Sequence, residues 1–116
     1  MGLDDYLYGS PDYSLLENIS RDTLAIVLVH EPITVYNIAS YSSSNYTIVL
    51  SGHCHGGQVR LFGCTIYLPE GCSRELFEGL HKINDTYVII SRGIGSWDSI
   101  PRVGVDPEVV VVEIKL

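Results

Sequence analysis

Two uninterrupted apolar runs, Thr23-Leu24-Ala25-Ile26-Val27-Leu28-Val29 and Tyr46-Thr47-Ile48-Val49-Leu50, each lead into histidine, the first directly at His30 and the second through Ser51-Gly52 at His53. No other feature constrains the fold as much. The first run is continuous and β-branched, which predicts a strand buried on both faces inside an α/β sheet. It ends at His30-Glu31-Pro32, and Pro32 both stops a strand and suits the start of a helix. Ile33, Val35, Tyr36, Ile38 and Ala39 predict that helix over about 32–41, followed by a Ser42–Asn45 loop. The second run empties into Ser51-Gly52-His53-Cys54-His55-Gly56-Gly57-Gln58. Its glycines permit positive φ and a close backbone approach to a ligand. A strand–helix–strand unit makes parallel neighbours with a right-handed crossover, so both strands finish at one sheet edge. His30 is thereby delivered beside His53 and His55 despite a separation of 23 residues between His30 and His53. Imidazole is the commonest metal ligand, and the carboxyl edge of parallel strands is where open sheets bind ligands. An HxH pair alone also fits a polar turn facing solvent, and a strand-end histidine fits a backbone contact. Convergence of all three favours a metal site.

The rest of the chain sorts into shorter elements. Ser10-Pro11-Asp12 reads as a helix entry, with Ser10 as N-cap, and Tyr13, Leu15, Leu16 and Ile19 predict a short helix over about 11–19. Val59–Phe62 and Thr65–Leu68 read as short strands around a turn at Gly63. Phe77–Ile83 and Thr86–Ser91, joined by Asn84-Asp85, predict an antiparallel hairpin. Ser91-Arg92-Gly93-Ile94-Gly95 is a polar, glycine-containing exit, and Glu108–Leu116 is predicted as a final strand. His81 falls mid-strand and reads as structural or exposed. Asp4 and Asp5 belong to a short polar start and receive no catalytic role.

Bulk properties exclude whole classes. At 116 residues the chain is one domain or part of one. A net charge of −7 argues against a nucleic-acid-binding face or a polybasic membrane contact. No apolar run approaches the roughly 20 residues needed to span a bilayer. Three cysteines, Cys54, Cys64 and Cys72, without a visible export signal predict reduced thiols and a cytoplasmic setting. Their spacings of ten and eight do not match structural zinc knuckles, so a zinc site built on them is disfavoured. The sequons at Asn18, Asn45 and Asn84 read as chance without export.

Four stretches together carry a family likeness: Gly2-Leu3-Asp4-Asp5, Leu28-Val29-His30-Glu31-Pro32, Ser51-Gly52-His53-Cys54-His55-Gly56-Gly57-Gln58 and Ser91-Arg92-Gly93-Ile94-Gly95. In order and spacing, the chain resembles the C-terminal half of a calcineurin-like metallophosphoesterase, nearest the bacterial membrane-associated type. The resemblance implies a partial β-sandwich with a mixed sheet and flanking helices, with residues 1–116 as a single domain. It implies divalent metal ions (Mn, Fe, Zn or Mg), with His30 and His53 on one and His55 on the other. It also implies phosphate-ester hydrolysis by a metal-activated water. Arg92 and Gly56 are candidate substrate contacts, Arg92 serving equally as a brace for the loop. The family's Asp-x-His, Gly-Asp-x-x-Asp and Gly-Asn-His-Asp/Glu motifs do not occur in these residues. Three imidazoles can hold one ion but lack the carboxylates that offset the charge of a pair. Two functions follow as alternatives: part of a phosphoesterase that works with a complementary N-terminal half, or an inactive metal-binding or interaction module. A sheet short of strands leaves an apolar face open to that half or to self-association.

Overall fold

The computed structural model describes residues 1–115. Strand β1 (Leu24–Leu28) leads through a 3₁₀ turn at Pro32–Thr34 into helix α1 (Val35–Tyr41), then into β2 (Tyr46–Ser51). A small ribbon follows, β3 (Arg60–Leu61) with β4 (Cys64–Thr65), and then the hairpin β5 (Gly79–Ile83) and β6 (Thr86–Ile90). The main sheet runs β1-β2-β6-β5, with β1, β2 and β6 parallel and β5 antiparallel to β6. The mixed α/β sheet and the parallel β1–α1–β2 unit agree with the sequence reading. The outer edge of β1 is covered by the first residues, where Leu3 N–H donates to the Leu28 carbonyl at 3.0 Å. The three parallel strands therefore end together, placing His30, the Ser51 loop and Ser91 at one edge. Ser51 ties that edge, its hydroxyl donating to the His30 carbonyl at 2.8 Å while its own carbonyl accepts Ser91 N–H at 2.9 Å.

One face of the sheet is core. Ala25, Val27, Thr47, Val49, Val88 and Ile90 point into it and are buried, against Val35 and Ile38 of α1, Leu16 and Leu76. The other face is bare. Ile26 pairs with Ile48 and Ile48 with Tyr87; Leu28 pairs with Leu50, Leu50 with Ile89 and Ile89 with Leu80. Of these, Leu28 is 52% and Leu80 65% exposed. The expectation that β1 is buried on both faces is therefore corrected to alternate burial, because a single layer covers the sheet.

Three further expectations change. The helix over 11–19 is a single 3₁₀ turn, Tyr13–Leu16, capped by the Asp12 carboxylate, which accepts Ser14 N–H at 3.0 Å. Ser10 is not the cap; its N–H donates to Asp4 instead. The turn does not extend, since the Leu16 and Glu17 carbonyls accept the Ser43 N–H and the Ser43 hydroxyl. Residues 108–115 form no ladder, since a strand exists only with a partner edge, and Leu116 lies outside the described residues. The predicted strands over 59–62 and 65–68 shrink to a ladder of two residues each, Arg60↔Thr65 and Leu61↔Cys64.

Candidate metal centre

The histidine loop is an unusual piece of backbone. His53, His55 and Gln58 take φ of 65°, 49° and 42°, and Gly56 and Gly57 take 61° and 77°. Non-glycine residues held at positive φ cost about 1–3 kcal/mol each and persist where surrounding structure over-determines them. Here the clamps are visible. Cys54 forms a disulfide with Cys72, tying the loop to the Pro69–Ser73 segment. The expectation of three reduced thiols is thus corrected: Cys54 and Cys72 are bonded across 18 residues and only Cys64, exposed, is free. A zinc site drawing on Cys54 and Cys72 falls with it, and so does the cysteine argument for a cytoplasmic setting.

The segment fastened by Cys72 reaches His53 directly. His53 Nε2–H donates to the Glu70 carbonyl at 2.7 Å, which leaves Nδ1 with the lone pair. His55 is fixed by Gln58. The Gln58 amide nitrogen donates to the carbonyls of Trp97 and Ile100 at 3.0 and 2.9 Å, so its oxygen is an acceptor. That oxygen takes the Trp97 N–H and faces His55 Nδ1 at 2.8 Å, so Nδ1 carries the proton and Nε2 is free. A ring N–H held by a carbonyl or amide oxygen, with the other nitrogen bare, is how metal-ligating histidines are oriented. His30 makes no side-chain hydrogen bond among the described residues, and its ring lies 4.5 Å from that of His53, tilted by 56°.

All three histidines line one cleft of about 550 Å³, together with Tyr8, Tyr67 and Trp97. Tyr67 and Trp97 stack with their ring centres 5.8 Å apart. The other two candidates stand apart from this lining. Arg92 is engaged by Glu108, its Nη2 at 2.8 Å and Nε at 3.0 Å from the carboxylate. The Arg92 backbone N–H and then its guanidinium hold the Glu108 carboxyl below its usual range. Gly56 is buried against the Arg92 stem, where a Cβ would come 2.8 Å from Arg92 Cγ. His81 sits apart from the cleft, bonded to the Glu78 carbonyl at 2.7 Å.

Sequence reasoning passed over two carboxylates here. Asp5 and Glu31 each bring an oxygen to His30 such that the three donor atoms lie within 4.8 Å of one another. The signal was present in the sequence, since Glu31 adjoins His30. Only the pairing of residues 1–3 with β1 brings Asp5 alongside. The donor set at this edge, imidazole nitrogen with carboxylate oxygen, suits borderline divalent cations.

The chain is similar to several curated proteins. A Bacillus subtilis protein named as an uncharacterized metallophosphoesterase, YkuE, is 34% identical over 116 residues, covering 97% of this chain and 39% of its own. A Campylobacter jejuni metallophosphoesterase is 33% identical, covering 98% of this chain and 29% of its own. One from Aquifex aeolicus is 30% identical, covering 98% and 44%. The chain thus spans under half the length of these relatives. No protein-family model matches it, and no solved structure does. Among the described residues no helix is long and apolar enough to cross a membrane. The residues that mark the histidine edge thus lie in a stretch shared almost end to end with these proteins, and the chain belongs to the metallophosphoesterases, consistent with their C-terminal portion.

Proposed function

We propose that this chain supplies part of the metal centre of a metal-dependent phosphoesterase acting on phosphomonoesters or phosphodiesters. The observation that carries this reading is the convergence of His30, His53 and His55 on one cleft, with the proton on His53 and His55 assigned to the nitrogen that is already hydrogen-bonded. His30 and His53, the latter through Nδ1, would hold one divalent ion, Mn, Fe, Zn or Mg, and His55 Nε2 would face a second. Such an ion lowers the pKa of a bound water and offsets phosphoryl charge. The chain's own part is orientation: the disulfide and the Glu70 carbonyl hold one imidazole, and Gln58 holds the other. Arg92, braced by Glu108, supports the loop from behind Gly56 and does not meet substrate.

The bare sheet face supports a second element of the reading. We take its occupant to be the N-terminal portion of a metallophosphoesterase, the part of the relatives that these residues do not span. A second sheet laid over Ile26, Leu28, Tyr46 and Tyr87 would complete a sandwich, and the Val109–Val112 segment, exposed and unpaired, offers it a strand. A metal-binding or interaction module is the competing function.

Hydrolysis of a generic phosphodiester with added Mn²⁺ tests both. The chain is assayed alone and with the N-terminal portion of the Bacillus subtilis relative. Activity that appears only on mixing, and is lost in His53→Ala, is the expected result. Inactivity in both, with metal still bound, would select the module. Activity of the chain alone that survives His53→Ala would overturn the site assignment.

A further inference from the structure

Glu31 is the most conspicuous buried charge in the molecule. It is 1% exposed. Its Oε2 accepts the Tyr6 N–H at 3.0 Å, while Oε1 is buried with no partner among the described residues. An unfilled carboxylate valence away from water costs about 1–3 kcal/mol, more when the group is charged. Its rotamer is fixed from behind, because Gly71, at φ 85°, leaves no room: a Cβ there would come 2.6 Å from Glu31 Cγ. Asp5 stands beside it, with Oδ1 accepting Leu7 N–H at 2.9 Å and Tyr8 N–H at 2.7 Å. Neither carboxylate pairs with a Lys or Arg among the described residues, whose ion pairs all lie elsewhere. Two carboxylates held together without a cationic side chain are stabilised by a cation or a shared proton between them.

We infer that Asp5, Glu31 and His30 form a divalent-cation site, with one carboxylate oxygen from each acid and one ring nitrogen completing a partial coordination sphere. The donor atoms lie within 4.8 Å of one another, a spread that a small inward motion closes around an ion with ligand distances near 2.1 Å. A proton shared by the two acids would also offset the charge. It would leave His30 without a partner at the open end of the cluster, where the exposed ring gives an ion a way in. The inference rests on reading the cleft as a metal centre and deepens it. It adds the anionic ligands that three imidazoles lack, and it makes His30 the hinge between the carboxylate pair and His53.

Binding of Mn²⁺ alone to the whole chain, read by the loss of the free-ion electron paramagnetic resonance signal, tests the site. Asp5→Asn is the informative variant, since its amide oxygen still accepts the Leu7 and Tyr8 N–H groups and the turn is kept. Glu31→Gln is the second, with its fold checked by circular dichroism. Each is expected to weaken Mn²⁺ binding by about tenfold or more, as loss of a ligand or its close support does. His55→Ala, outside this three-residue cluster, is expected to weaken it less. If Asp5→Asn binds Mn²⁺ as the parent chain does while His53→Ala does not bind, the acids share a proton, and this inference fails while the histidine reading stands. If the parent chain binds no Mn²⁺ at millimolar concentration, both fail.

Discussion

The two faces of the main sheet come from the same strands and nearly the same residue types, yet they end in opposite environments. Val27, Val49 and Val88 are fully buried beneath α1, whereas Ile26 and Tyr87, one residue before Val27 and Val88 on the same strands, are 37% and 45% exposed. The residue preference of a strand states what it can bury. What covers it states what it does bury. An apolar row that crosses three strands in register, Leu28–Leu50–Ile89, is a surface built for contact and left without one.

Four substitutions or conditions break or sharpen that contrast. The largest effect is expected from Ile90→Ala on the covered face: about 2–5 kcal/mol lost by urea unfolding, as for buried large-to-small changes. Leu28→Ala on the bare face is expected to cost well under half as much, and an equal cost would show that face to be packed in solution. Next is removal of the Cys54–Cys72 bond by serine at both positions. The loop it closes is short, and the expected loss is about 3 kcal/mol of stability by urea unfolding, with a steeper slope as the unfolded chain expands. Third, Leu28→Lys with Tyr87→Lys is expected to abolish binding of an apolar dye to the bare face, with stability changed by about 0.5 kcal/mol or less. Smallest is the acid response of the Arg92–Glu108 tie. The Glu108 pKa is depressed in the fold, so its contribution is complete above the ordinary glutamate value, about 4.3, and is lost as pH falls through the lower folded value. Arg92→Ala is expected to remove only the guanidinium's share of that acid dependence and to leave the share of the retained backbone N–H, measured as urea midpoint against pH.

The unit that delivers His30 to His53 was legible because it needs only two strand-length runs and a helix between them, and crossover handedness does the rest. The site's near shell was less so. The Cys54–Cys72 bond joins residues whose spacing matches no motif, and Gln58 reads as one more polar loop residue until its four partners are seen. Asp5 depends on residues 1–3 lying along β1, a parallel bridge of one residue pair that no periodicity announces. Two misreadings share a cause with the bare face. Residues 108–115 have the composition of a strand and β1 that of a doubly covered one; each lacks the neighbour that would make it so. The helix expected over 11–19 stops where Ser43 holds the Leu16 and Glu17 carbonyls.

Gln58 has a consequence for how the cleft responds to what enters it. Its amide is clasped from both sides by the Trp97–Ile100 loop, and the same group decides which nitrogen of His55 bears hydrogen. Should a ligand push that loop aside, the amide would be free to turn its NH2 toward Nδ1, and the ring proton would move to Nε2. A movement of backbone about forty residues away along the chain would thereby replace a lone pair facing the cleft with an N–H.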